Sequence, residues 1–187
     1  MPIQVSEDKI AALPFEEPDS AASDDPYSSR ALETERLVLR RPVMEDAPAI
    51  AALADDPTIS SNLARLPRPY RLNHATDWIA RQHPRLDAGF ELLVLLKSHA
   101  GPDHPIGAVG VTPEASGQGL TLGFWMGSAY LGHGFATEAA HAAVDLAFET
   151  LDIRRLEGTC RVTAFGARRV LEKSGFQWIG HGMARSQ

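Results

Sequence analysis

The stretch Phe124-Trp125-Met126-Gly127-Ser128-Ala129-Tyr130-Leu131-Gly132-His133-Gly134-Phe135-Ala136-Thr137-Glu138 runs from an apolar strand through a glycine-bearing loop into an alanine-rich helix. Glycines at 132 and 134 remove the Cβ atoms that would hold a bulky anion away from the peptide N–H groups. The unpaired amides of a first helical turn, with the positive end of the helix dipole, then favour negative charge at that place. A diphosphate can lie against such a chain without help from lysine. Ala139, Ala140, Ala142 and Ala143 let the helix approach a sheet closely and so fix where its N-terminus points.

Glycine turns before helices are common, so the surroundings must decide what this one holds. No Gly-Lys-Ser/Thr follows, which excludes the phosphate loop of nucleotide hydrolases. Thr137 stands where the dinucleotide fingerprint needs its third glycine. Asp152, 20 residues after Gly132, precedes the next strand instead of ending it, which disfavours a dinucleotide site.

Outward from the loop, apolar runs bounded by Gly, Pro, Ser and His predict three strands in close succession, Phe90 to Lys97, Pro105 to Thr112 and Leu120 to Met126, an antiparallel meander. Before them, Leu37 and Leu39 alternate as a strand that Pro42 closes. Glu45-Asp46 lead a helix over Ala47 to Ala54, stopped at Asp55-Asp56-Pro57, and a second helix is predicted over His74 to His83. After the loop the pattern predicts a helix over Thr137 to Glu149, a strand over Arg155 to Val162 containing a buried Cys160, a helix over Ala164 to Ser174 capped by Gly175, and a strand from Phe176 to Ile179. Strands that first cluster and then alternate with helices indicate an α+β (α/β layered) fold, a mixed sheet with helices on its faces.

The chain of 187 residues fits one globular domain. Residues 1–30 mix prolines with Ser, Asp and Glu and read as a flexible acidic tail, leaving residues 31–187 as the folded domain. Glu7, Asp8, Glu16, Glu17, Asp19, Asp24 and Asp25 against Lys9 and Arg30 account for five of the six net negative charges. The domain is therefore close to neutral, without the basic field that drives nucleic-acid binding. No run approaches the ~18 apolar residues of a membrane span, no signal peptide opens the chain, and the single cysteine fits a reducing compartment, so a cytoplasmic location is expected. No metal-ligand spacing stands out, and no metal is expected.

The segment Leu122-Gly123-Phe124-Trp125 through Gly132-His133-Gly134-Phe135-Ala136-Thr137-Glu138-Ala139, followed by Arg168-Arg169-Val170-Leu171-Glu172-Lys173-Ser174-Gly175-Phe176, resembles the GNAT acetyltransferases. It is most similar to the branch that acetylates N-termini of ribosomal proteins, whose first strand Thr34-Glu35-Arg36-Leu37-Val38-Leu39-Arg40 also matches. The resemblance covers about residues 33–182. It implies a mostly antiparallel twisted sheet and direct transfer of an acetyl group from acetyl-CoA to a primary amine, a protein N-terminal α-amine or a small-molecule amine, with no acyl-enzyme. By the same match, the amides of Leu131, Gly132, His133, Gly134, Phe135, Ala136 and Thr137 hold the diphosphate. Phe124, Trp125 and Met126 line the pantetheine slot, a bulge near Gly123-Phe124 aims an N–H at the thioester, and Arg169 and Lys173 lie near the adenosine phosphate. Arg168 has a competing partner in Glu172, four residues on.

Thr121 stands where the branch often carries Glu as a base, Ala164 and Ala167 replace its Asn and Ser, and the final strand is expected to be missing. The open sheet edge this leaves favours a homodimer. Glu91, Tyr130 and Glu138 are the candidates for proton transfer, with His133 and His74 beside them. His99, His104 and His141 read as surface or packing histidines, and Trp78, Trp125 and Trp178 as core or acceptor-pocket walls, with core preferred. The alternative function is a catalytically silent CoA-binding regulatory module.

Overall fold

Successive side chains of a strand point to opposite faces, and in the central strand both sets are apolar apart from Glu91. The computed structural model describes residues 31–60, 66–82, 89–114 and 119–180, so the expected acidic tail lies outside the described residues. In β3 (Phe90–Leu96), Phe90, Leu92 and Val94 join a core with Leu37, Leu39, Val109 and Val111, while Leu93 and Leu95 join a second core with Ile50, Ala75 and Ile79. Each such side chain contributes roughly 1.5–3 kcal/mol by leaving water, so a sheet apolar on both faces must be covered on both.

The sheet has six strands in chain order: β1 (Leu32–Glu33), β2 (Leu37–Arg40), β3, β4 (His104–Pro113), β5 (Leu120–Met126) and β6 (Glu157–Gly158). Neighbours are antiparallel except β5 and β6, which run parallel. That parallel step requires a crossover, supplied by α4 (Phe135–Thr150), whose Ala139, Ala140, Ala143 and Ala147 are fully buried on the first core. The opposite face carries α1 (Ala47–Ala54) and α3 (Leu72–Ala80).

Asp46 joins α1 to the sheet. Its carboxylate takes two 2.7 Å hydrogen bonds from the Arg40 guanidinium and a third, 2.8 Å, from the Val43 amide. Burial pushes this carboxyl up, but Arg40 and the amide outweigh it and hold the pKa below the usual value.

The meander strands and α1 lie where the pattern predicts them, with β5 and α1 matching at both ends. The short helix α2 (Pro57–Ser60) follows α1 directly and was not expected. Helix α3 starts two residues before His74, because the His74 ring lies inside the first turn, where Nδ1 accepts the Arg71 amide at 3.0 Å. It ends at Ala80, and His83 is outside the described residues.

The largest differences follow α4. The strand expected over Arg155 to Val162 pairs only at Thr121↔Glu157 and Leu122↔Gly158 before it leaves the sheet. Cys160 is therefore half-buried and outside any strand. Helix α5 (Phe165–Lys173) ends as expected at Gly175, φ +87°, where the Phe176 amide reaches the Leu171 carbonyl at 3.1 Å and the Gly175 amide that of Glu172 at 3.2 Å. Phe176 to Ile179 form no strand. Trp178, expected in the core, is 57% exposed beneath the Arg168 guanidinium. Among the described residues, no helix is long and apolar enough to cross a membrane.

Candidate functional site

The loop between β5 and α4 is anchored at its start by the Gly127 amide, which donates to the Ile106 carbonyl at 2.8 Å. Ile106 is the extra residue of a bulge: Val94 opposes Gly107 while Leu95 opposes Pro105, so Ile106 has no opposite number on β3. A turn at Ser128–Tyr130 follows, and the chain then enters α4 through Gly132 (φ +81°) and Gly134 (φ +84°). A side chain resists this left-handed conformation by about 1–2 kcal/mol per residue, which is why glycine stands at both positions.

Backbone pairing stops at the Leu131 amide, bound to Ser128, and resumes at the Thr137 amide, bound to Gly134. Among the described residues, the amides of Gly132, His133, Gly134, Phe135 and Ala136 meet no acceptor. Five consecutive donors thus stand at the N-terminus of a 16-residue helix, with Leu131 to Gly134 exposed and a hypothetical Cβ on Gly132 meeting nothing within 4 Å. Such an arrangement attracts anions.

Arg36 and Glu138 hold this loop in place. Glu138 Oε2 accepts the Arg36 Nε at 2.7 Å and pairs with Nη2 at 2.7 Å; Oε1 accepts the Thr34 hydroxyl at 2.6 Å and the Arg36 amide at 2.9 Å. Arg36 Nη1 reaches the His133 carbonyl at 3.0 Å, and the guanidinium lies 4.6 Å from the centre of the Phe135 ring. Burial pushes the Glu138 carboxyl up, but Thr34 and Arg36 outweigh it and keep its pKa below the usual value. Both oxygens are occupied by fixed partners, an arrangement that suits a brace for the loop. Glu138, a proton-transfer candidate by its place in the sequence, is instead committed to Thr34 and Arg36 of the first-strand run Thr34-Glu35-Arg36, partners that no local signal links to it.

Beside the loop, β5 outruns β6. After Leu122 pairs with Gly158 the two strands part, leaving Gly123–Met126 without a partner on that side among the described residues. Phe124 and Met126 pack toward the α4 core, and Trp125 toward the α1–α3 core. The expected bulge at Gly123-Phe124 is absent, since β4 and β5 pair in unbroken register from Gly107↔Met126 to Pro113↔Leu120.

The remaining candidates are spread around this centre. Tyr130 packs against the α4 core, its ring 6.0 Å from that of His104. Glu91 Oε2 accepts the Trp78 indole N–H and the Gln82 amide, each at 3.1 Å. His133 is exposed, 5.8 Å from the Phe135 ring. His74 has its Nδ1 committed to the Arg71 amide, and His141 Nε2 lies 2.9 Å from the Lys173 carbonyl, joining α4 to α5. Arg169 and Lys173 project exposed from α5, whereas Arg168 donates to Glu172 at 2.7 Å. No group of three or more His, Cys, Asp or Glu side chains that could hold a metal occurs among the described residues.

The family model described as "Acetyltransferase (GNAT) domain" matches residues 36–177. A probable N-acetyltransferase of Bacillus subtilis, YjcK, is 36% identical over 83 residues, a stretch covering 43% of this chain and 46% of that relative, about half its length. Among solved structures, an acetyltransferase from Agrobacterium tumefaciens is 26% identical with a TM-score of 0.62, covering 88% of this chain and 86% of its own. The fold is shared with a GNAT-family acetyltransferase from Bacillus anthracis (TM-score 0.68, 19% identity, 81% and 86% coverage). It is shared too with RimL, a ribosomal-protein α-N-acetyltransferase solved in complex with coenzyme A (TM-score 0.69, 17% identity, 81% and 86% coverage).

Proposed function

The chain belongs to the GNAT acetyltransferase family, and from that premise we propose that it transfers the acetyl group of acetyl-CoA directly to a primary amine, either a protein N-terminal α-amine or a small-molecule amine. The observation that carries this reading is the row of five acceptor-free amides at Gly132 to Ala136, set beside a sheet edge that has lost its neighbour.

The amides of Gly132 to Ala136 receive the diphosphate of acetyl-CoA, whereas those of Leu131 and Thr137, expected from the sequence to share it, are spent on the Ser128 and Gly134 carbonyls. The free edge at Phe124, Trp125 and Met126 pairs with the amides of its pantetheine arm, and Arg169 and Lys173 lie toward its adenosine phosphate. Bound there, acetyl-CoA supplies an activated acyl group, and the protein orients it, excludes water and aids the removal of a proton. RimL acts on a protein N-terminus. An α-amine, with a pKa of about 7.7–8.0 against about 10.4 for lysine, is already partly neutral near pH 7 and asks less of a base.

Isothermal titration with acetyl-CoA and CoA, followed by free-thiol release across lysine-free peptides, lysine peptides and small amines, tests the proposal. Binding with amine-dependent thiol release is expected. Binding without turnover would instead favour a silent CoA-binding module, and absence of binding would overturn both readings.

A further inference from the structure

On the face covered by α1 and α3, the strand register sets three rows across the sheet: Leu93, Ala108 and Trp125; Glu91, Gly110 and Gly123; and Thr112 with Thr121. Directly opposed residues of antiparallel strands point to the same face. The middle row is therefore one carboxylate followed by two glycines.

Gly110 gives Glu91 its room, since a Cβ there would lie 2.7 Å from Glu91 Cγ and 2.6 Å from the Phe90 carbonyl oxygen. The Glu91 side chain thus reaches over β4 in the direction of Gly123, where a Cβ would meet nothing within 4 Å. Oε2 is held by the Trp78 indole and the Gln82 amide, while Oε1 has no hydrogen-bond partner among the described residues. The open space over the exposed Gly123 lies two residues from Trp125 on the same face, on the strand whose outer edge has no partner among the described residues. Thr121, one row away on the same face, offers no carboxylate.

We infer that Glu91, lying over Gly110 and held by Trp78 and Gln82, is the carboxylate that receives the acceptor amine in the open space above Gly123. This rests on the acetyl-transfer reading above. The substrate ammonium docks on Oε1, where one of its three protons passes to the carboxylate directly or across one water and on to solvent. The freed nitrogen pair attacks the thioester carbonyl, the carbon–sulfur bond breaks, and its electron pair leaves on sulfur. A second proton goes to the departing thiolate, and the third stays on the amide product. The open space above Gly123 admits a slim, unhindered amine. Tyr70 is close enough to feel Glu91: burial pushes its phenol above the usual value, Arg81 opposes, and Glu91 and Asp77 add to the rise.

The test compares wild type with Glu91→Gln, which keeps an oxygen for Trp78 and Gln82 but no charge, using acetyl-CoA and a lysine-free peptide with a free α-amine. The expected result is a fall in kcat/KM of about 10²-fold with unchanged CoA affinity, the deficit shrinking as pH rises through the α-amine pKa of about 7.7–8.0. Adding Thr121→Glu to Glu91→Gln, which returns a carboxylate to the same face, should recover about tenfold. If Glu91→Gln also lowers the melting temperature, Glu91→Asp decides, since it must retain more activity than Glu91→Gln at equal stability loss. Equal activity of Glu91→Gln and wild type, or a deficit identical at every pH, overturns the role of Glu91 and leaves the transfer reading standing. Acetyl-CoA binding without turnover of any amine removes the transfer reading and this role with it.

Discussion

Arg36 and Glu138 meet at 2.7 Å across 102 residues of chain, and the same guanidinium holds the His133 carbonyl between the two glycines of the loop. The first strand thereby sets the position of the helix mouth. Arg36→Ala removes the pair and the carbonyl bond together. Hydrogen bonds to charged groups are worth about 1.5–3 kcal/mol, and the partly exposed Arg36 belongs at the lower end. Coenzyme A affinity should fall about tenfold by titration calorimetry; unchanged affinity would show that the loop needs no brace.

Gly132 and Gly134 should respond differently to alanine. Both substitutions incur the left-handed penalty of about 1–2 kcal/mol. At Gly134 the new methyl also meets Arg36 Nη2 at 3.4 Å, whereas at Gly132 it projects into the open space before the amides. Gly132→Ala is expected to weaken coenzyme A binding by more than its modest loss of melting temperature would suggest, and Gly134→Ala to lose more stability. Paired thermal melts and titrations distinguish the two.

Acid should unfold the protein in a way these carboxylates control. Asp46 and Glu138 both have folded pKa values below their unfolded values of about 3.9 and 4.3. Their contribution is fully present above those unfolded values and is lost as pH falls through the lower, folded ones. Asp46→Asn with Glu138→Gln should flatten the decline of the urea midpoint below about pH 4. A decline as steep as in wild type would point to other groups.

Asp46→Ala should destabilise without touching binding. It leaves the Arg40 guanidinium, only 31% exposed, with Nη2 unpartnered and Nη1 held by the Arg41 carbonyl alone, and frees the Val43 amide. A loss of about 2–3 kcal/mol by urea denaturation is expected, with coenzyme A affinity within about twofold of wild type.

The elements visible in the sequence are those whose signals are local. Helix α1 and strand β5 match at both ends because the acids Glu45-Asp46 just ahead of the helix, a proline stop and flanking glycines lie within a few residues of them. The loop, too, could be placed from Gly132 and Gly134 alone. Strand β6 could not, because Arg155 to Val162 alternate well enough to pair, yet pairing ends at Gly158, against which Leu171 of α5 packs so closely that a Cβ there would sit 2.7 Å from it. The Glu138–Arg36 brace and the Glu91–Gly110–Gly123 row share that character. Each depends on register or packing between segments far apart in the chain, which no local period encodes.

The loop is fastened to the sheet twice, by Gly127 to the bulge carbonyl of Ile106 and by His133 to Arg36. A receptor stitched down at both ends has little left to organise when its guest arrives. Capture of coenzyme A should therefore follow a single exponential whose rate climbs linearly with nucleotide concentration, with no slower tightening phase behind it.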